Sequence, residues 1–256
     1  FIDLDFTAML ALHKTKKAKV TISLTRVDNP TSFGLVETDA TNRVLRFLEK
    51  PKPEEVTTNT INAGAWLVEP EVMSLVPPET QFSFERNVFP ELLARHEPIY
   101  AHTLAGYWMD AGTPEKYLQL HRDLLGGKSH QYTPTKGLVI GKGSKIHPTA
   151  GITGQVVIGA DCSIGARVKL TGTVVIGDGS TILADSTIEG SVIWKNVRLE
   201  SGVNLKDCII ADNCLLGAGS RGEGVVLGDN VTVPRNYTLE AGSKIKPGTV
   251  MAARTD

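Results

Sequence analysis

From Ile140 onward the chain places an aliphatic residue at every sixth position: Ile140, Ile146, Ile152, Ile158, Ile164, Leu170, Ile176, Ile182 and Ile188. Four residues after each stands a small or β-branched side chain: Ser144, Ala150, Val156, Cys162, Val168, Val174, Ser180, Ser186 and Val192. A second phase runs Val197, Val203, Ile209, Leu215, Leu227, Val233, Leu239, Ile245 and Met251, broken at Arg221. The phases differ by three residues around Trp194, where a bulge or short loop is expected. Hexads are the mark of a parallel β-helix, in which each hexad gives a short strand and a turn and three close a triangular coil. The spacing therefore predicts about six to seven coils with the aliphatic set pointing inward. One coil alone cannot bury its apolar side, so stability comes from stacking. Each fully buried aliphatic contributes roughly 1.5–3 kcal/mol. A β-sandwich alternates with period two and gives no reason for an aliphatic at every sixth position.

Acidic and basic residues nearly balance, at a formal net charge of −1. No basic excess or polybasic run is present to hold nucleic acid or an anionic membrane. No apolar stretch approaches the ~18–20 residues of a spanning helix. Cys162, Cys208 and Cys214 lack zinc spacing and read as reduced thiols of a cytoplasmic protein. The chain opens at Phe1 directly into a helical pattern, as a piece of a longer polypeptide would.

Residues 1–125 read as mixed α/β. Asp5 can cap a helix over about 6–17 with an apolar face of Met9, Leu10 and Leu12. Val20, Ile22 and Leu24 alternate as a strand before the breaker Asp28-Asn29-Pro30. A hairpin is expected over 33–38 and 43–48 and a strand over about 63–68. Ser83 caps a helix to about His96, and Thr113-Pro114 opens another to about Leu125. Residues 126–136 form the linker, and 137–256 the β-helix.

Four motifs stand in order before the repeats: Phe33-Gly34-Leu35-Val36, Phe47-Leu48-Glu49-Lys50-Pro51, Asn62-Ala63-Gly64 and Trp108-Met109-Asp110-Ala111-Gly112-Thr113-Pro114. Together with the hexads they resemble the nucleoside-diphosphate-sugar pyrophosphorylases. Those enzymes join a nucleoside triphosphate to a sugar 1-phosphate and release pyrophosphate. The segment Ser83-Phe84-Glu85-Arg86, followed by Phe89-Pro90, looks most like the mannose-1-phosphate guanylyltransferases. The resemblance implies a partial Rossmann-like nucleotidyltransferase domain followed by a left-handed parallel β-helix. It also implies a glycine-rich phosphate loop and a first metal-binding aspartate, neither of which this sequence supplies. The chain is accordingly expected to carry the sugar-side half of a site and not to catalyse alone.

By that resemblance Glu49 orients sugar hydroxyls and Lys50 holds the sugar phosphate. Pro51 ends the strand beside them, which suits side chains facing a cleft; an exposed ion pair running on into Lys52, Glu54 and Glu55 is the alternative. Asn62 offers an amide donor and acceptor to a hydroxyl, while Gly64 permits close backbone approach. A turn asparagine is the alternative. Gly34 would present its backbone amide, or be an ordinary strand glycine. Asp110 is implied as a ligand of Mg²⁺ bridging both substrates' phosphates, against an acidic residue merely favoured at a helix N-terminus. His147, the one histidine in the repeats, would be the base of an acyltransferase, but reads better as part of an opening turn.

Three classes stay open: a mannose or glucose 1-phosphate nucleotidyltransferase, a non-catalytic sugar-nucleotide-binding relative, and a bifunctional enzyme whose β-helix transfers acetyl groups. Self-association through the β-helix is expected.

Overall fold

The computed structural model describes residues 1–132 and 137–253, so part of the expected linker (133–136) and the last three residues lie outside the described residues. The chain forms two compact units, Phe1–Met109 and Asp110–Asp256.

In the first unit Asp5 caps α1 (Phe6–Lys16), its Oδ1 accepting the Ala8 N–H at 2.9 Å. The inward face differs from the expected Met9-Leu10-Leu12 set. Met9 and His13 are buried, while Leu10 is 41% exposed. His13 is accommodated because its ring meets Thr21 Oγ1 at 2.8 Å and Glu69 Oε1 at 3.0 Å. Hydrogen bonding also explains why β1 (Val20–Arg26) is buried at Thr21 and Ser23 as well as at its aliphatic positions. A buried hydroxyl is tolerated once it is hydrogen-bonded, and Ser23 Oγ accepts the Ala65 N–H at 3.1 Å.

The hairpin forms as β2 (Gly34–Thr38) and β3 (Val44–Glu49). Asp39 Oδ1 holds its turn by accepting the backbone N–H groups of Thr41 and Arg43. β4 (Thr60–Val68) begins earlier than expected. Ser83 caps a π-turn over Phe84–Val88 that leads into the short helix α2 (Phe89–Ala94). With β5 (Ile99–Thr103) the sheet order is β3-β2-β4-β1-β5, antiparallel except for the parallel β1–β5 pair.

The second unit opens with α3 (Pro114–Leu125), capped by Thr113, whose Oγ1 accepts the Lys116 N–H at 3.3 Å. A parallel β-solenoid of about six turns follows. Its inner column holds Ile158, Ile164, Leu170, Ile176, Ile182 and Ile188, as the hexads require. Ile146 and Ile152 are partly buried and Ile140 is 48% exposed.

Beyond Ile188 the register corrects the sequence reading. The inward aliphatics are Ile193, Leu199, Leu205, Ile210, Leu216 and Leu227, with Val197, Val203, Cys208 and Cys214 as their small partners. Ile209 and Leu215 face outward. In place of the expected bulge or short loop, an ordinary corner turn follows Trp194 at residues 195–196. Coils shorten from eighteen residues (Lys169 beneath Thr187) to seventeen (Thr187 beneath Asn204) by dropping one residue at a corner. Thus Ile188 to Ile193, Leu205 to Ile210 and Gly222 to Leu227 are five-residue steps. The apparent break at Arg221 has the same origin. Arg221 points outward opposite Asn204, and Gly222 occupies the inner column near Leu205, Val225 and Leu239. A one-residue slip moves a strand's side chains to its other face, so three single deletions look like one large phase shift.

Candidate functional site

β4 does not pair evenly with β1. Ile22 lies opposite Trp66 and Leu24 opposite Asn62, so β4 carries two more residues than β1 across this stretch. Gly64 sits in that bulge at φ +87°, a conformation that favours glycine. Asn62, only 6% exposed, holds the bulge together: its Oδ1 accepts the Gly64 N–H and the Trp66 Nε1–H, each at 2.9 Å. Its Nδ2 donates to Glu85 Oε1 at 2.8 Å. A primary amide has two N–H donors, and Asn62 gives one of them to Glu85. The Asn-Ala-Gly motif is therefore first a device for building the site, with Gly64 exposed and open space where a Cβ would stand.

The neighbouring hairpin brings Gly34 directly opposite Glu49. A Cβ on Gly34 would lie 2.6 Å from Phe47 Cζ and 3.1 Å from Glu49 Oε2, so glycine is what lets the Phe47 ring lie against the β2 backbone with the Glu49 carboxylate beside it. Lys50, exposed at φ +50°, leaves the sheet, with its N–H donating to Phe33 O at 3.0 Å. Aromatic rings support the arrangement. Trp108 donates to Ala63 O at 3.0 Å and packs edge-on to Phe33, while Trp66 stacks on Phe84.

Burial, and then the Glu85 carboxylate, hold the Glu49 carboxyl above the ordinary glutamate range, with Lys50 and Arg86 pulling it back. Two carboxylates, an amide hydrogen, a lysine and an arginine are thus gathered in one unit. Carboxylates can accept from adjacent hydroxyls of a polyol, and the cations can hold a phosphate. The structure brings together Gly34, Glu49, Lys50, Asn62 and Gly64. It adds Glu85 and Arg86, which the sequence reading used only to choose a subfamily. Their signal was the Ser-Phe-Glu-Arg string itself, but only the fold carries that turn to β4.

Asp110 stands at the start of the other unit. It is exposed, with Oδ2 3.6 Å from Lys116 Nζ, and Gly112 passes so close that a Cβ there would lie 3.3 Å from Asp110 Oδ1. Among the described residues no group of three or more His, Cys, Asp or Glu side chains is gathered as metal ligands. A single exposed carboxylate nevertheless fits a cation such as Mg²⁺, which binds through one or two carboxylates and takes its other ligands from phosphates and water. His147 Nδ1 lies 2.9 Å from Thr149 Oγ1 and accepts the Thr149 N–H, within the opening turn. Among the described residues no helix is long and apolar enough to cross a membrane.

Residues 1–127 match the nucleotidyl transferase family model, and residues 152–251 match the GMPPB C-terminal domain. The chain therefore belongs to the nucleotidyl transferases that carry a β-solenoid C-terminal domain. Among its relatives, a mannose-1-phosphate guanylyltransferase of Mycobacterium tuberculosis is 35% identical over 60% of this chain and 48% of its own length. A mannose-1-phosphate guanyltransferase of Debaryomyces hansenii is 36% identical over 96% of this chain and 65% of its own length. The mannose-1-phosphate guanylyltransferase catalytic subunit beta of Drosophila melanogaster is 31% identical over 98% and 64%. The chain thus spans about half to two thirds of the length of these curated relatives.

Proposed function

We propose that the complete protein is a sugar-1-phosphate nucleotidyltransferase converting mannose 1-phosphate and GTP to GDP-mannose and pyrophosphate, and that this chain supplies its sugar-binding half. The observation that carries the reading is the Glu49–Glu85–Asn62 cluster beside Lys50, a set of acceptors, one donor and a cation suited to a phosphorylated polyol. The named relatives support mannose as the sugar.

In this reading Glu49 and Glu85 accept from neighbouring sugar hydroxyls, and the remaining Asn62 amide hydrogen donates to another. Lys50 holds the phosphate, while Gly34 and Gly64 leave room for the sugar against the backbone. A phosphate oxygen of the sugar attacks the α-phosphorus of the triphosphate, the bond to the β-phosphate breaks, and pyrophosphate leaves. A Mg²⁺ ion held by Asp110 would neutralise charge growing on the phosphates.

Pyrophosphate release, measured across sugar phosphates and triphosphates, tests the assignment. Turnover of glucose 1-phosphate with another triphosphate, and none of mannose 1-phosphate with GTP, would refute the sugar while sparing the class.

The same proposal places the protein in the cytoplasm, which suits its three buried free thiols. It also makes the solenoid a contact between copies. In support, the last coil exposes Val250 beside Thr232 at an edge where strand pairing could continue. Light scattering that reported a monomer at all concentrations would overturn the assembly role.

A further inference from the structure

The solenoid turns its corners on stacked residues with positive φ. One such stack runs Gly154, Gly172, Gly190, Asp207, Gly224 and Gly242, and Asp207 (φ +50°) alone among them has a side chain. A Cβ on Gly190 would lie 2.4 Å from Asp207 Oδ1, which places the two corners directly in register. At that one departure from glycine the Asp207 carboxylate receives Arg122 Nη2 of α3 at 2.7 Å.

A second feature lies beside it. Val175, Val192, Ile209 and Val226 stack in register and alternate with the inward Ile176, Ile193, Ile210 and Leu227, so they form an outward apolar stripe. Leu118 of α3 packs with Val192 and Ile209, and all three are buried. The helix therefore meets the solenoid through Leu118, with Tyr117 partly buried beside it, and through Arg122, which lies a turn from Leu118 on the same face, as i and i+4 residues do. Its N-terminal end follows directly on Asp110-Ala111-Gly112-Thr113, and Lys116 in its first turn lies 3.6 Å from Asp110.

We propose that Asp207 and Arg122, with Leu118 on the Val192–Ile209 stripe, are positioning residues: the solenoid holds α3, and through it the loop that presents Asp110 to the metal. The metal role rests on the function proposed above; the docking of α3 does not. The solenoid then supports the Asp110 loop within its own unit.

Two variants separate the contacts. Asp207→Gly restores the glycine of the neighbouring coils, so the corner keeps its backbone. Leu118→Ala removes the apolar anchor. Asn213→Gly, the same kind of change at another corner (φ +59°), is the control. Hydrogen exchange of the full chain should show amides of α3 losing protection about threefold in Asp207→Gly. The loss in Leu118→Ala should be about tenfold or more. Solenoid amides should stay unchanged in both, and α3 amides unchanged in the control. Mn²⁺ titration by paramagnetic resonance, and the Mg²⁺ dependence of turnover in the complete enzyme, should both weaken in the order Asp207→Gly, then Leu118→Ala. The paired exchange Arg122→Asp with Asp207→Arg should recover part of the metal affinity that either change loses alone.

Unchanged exchange in α3 for both variants would overturn the docking. Faster exchange with unaltered Mn²⁺ affinity and Mg²⁺ dependence would overturn the positioning. A parent protein that neither binds Mn²⁺ nor turns over would sink the metal role of Asp110, and the positioning with it, while the exchange result for α3 would stand.

Discussion

Asn62 donates to Glu85 across 2.8 Å, and this hydrogen bond joins a residue of the central strand β4 to one in the turn before α2. Because Asn62 Oδ1 also accepts from Gly64 and Trp66, one buried amide sets the shape of the bulge and the orientation of a carboxylate. Asn62→Ala should leave the Gly64 N–H and Trp66 Nε1–H without their acceptor, at about 1–3 kcal/mol for each group that water cannot reach. Urea unfolding should show the loss. A change under about 0.5 kcal/mol would mean the amide is not structural.

Glu49 makes a prediction about pH. Burial first, and Glu85 second, raise its carboxyl above the ordinary value of 4.5. The folded protein then holds this proton at pH values where the unfolded chain has released it. Stability from this group is present at low pH and is lost as pH rises from 4.5 through the raised folded value. Glu49→Gln removes the effect, so the variant's stability relative to the parent should climb across that window and level off above it. Denaturant midpoints against pH test this, and a flat difference would refute the shift. The same variant should raise KM for the sugar phosphate in the complete enzyme.

Asp110→Asn in the complete enzyme should lose most of kcat, at least about tenfold, while folding normally, because a metal ligand acts most on charge that develops during reaction. Lys50→Ala should mainly raise KM, since in the proposed role it holds a phosphate charge already present before reaction. If both variants altered KM alone, Asp110 would not be the metal ligand.

The solenoid register predicts opposite outcomes for adjacent leucines. Leu216 is buried in the inner column and Leu215 is 38% exposed. Leu216→Ala should cost about 2–5 kcal/mol. Leu215→Ala should stay within about 0.5 kcal/mol. The reverse order would restore the register read from the hexads alone.

Spacing alone misplaces side chains where a coil drops one residue. Leu215 and Leu216 are equally apolar, and nothing local tells which faces inward once a coil has dropped a residue. The choice is made by the coils below and above, which offer Leu199 and Val233 in the inner column. The same holds in α1, where His13 replaces the expected Leu10 on the buried face because Thr21 and Glu69 come to meet it. Gly34, Glu49, Lys50, Asn62 and Gly64 could be singled out because the ordered motifs that carry them resemble those of a known family. Glu85 and Arg86 stand in the Ser-Phe-Glu-Arg string, but their place in the cluster could not be read from it, because what draws them there is a contact between segments far apart in sequence.

What the sequence alone determined is the solenoid and its partner fold: a period of six can be buried only by stacked coils, and the ordered motifs identify the α/β unit before them. Tertiary structure decided the register beyond Ile188, the use of Asn62 to build a bulge, and the fixing of α3 to Asp207 and the Val192–Ile209 stripe. Each of these depends on which side chains meet across the fold, and periodicity along one chain carries no record of such meetings.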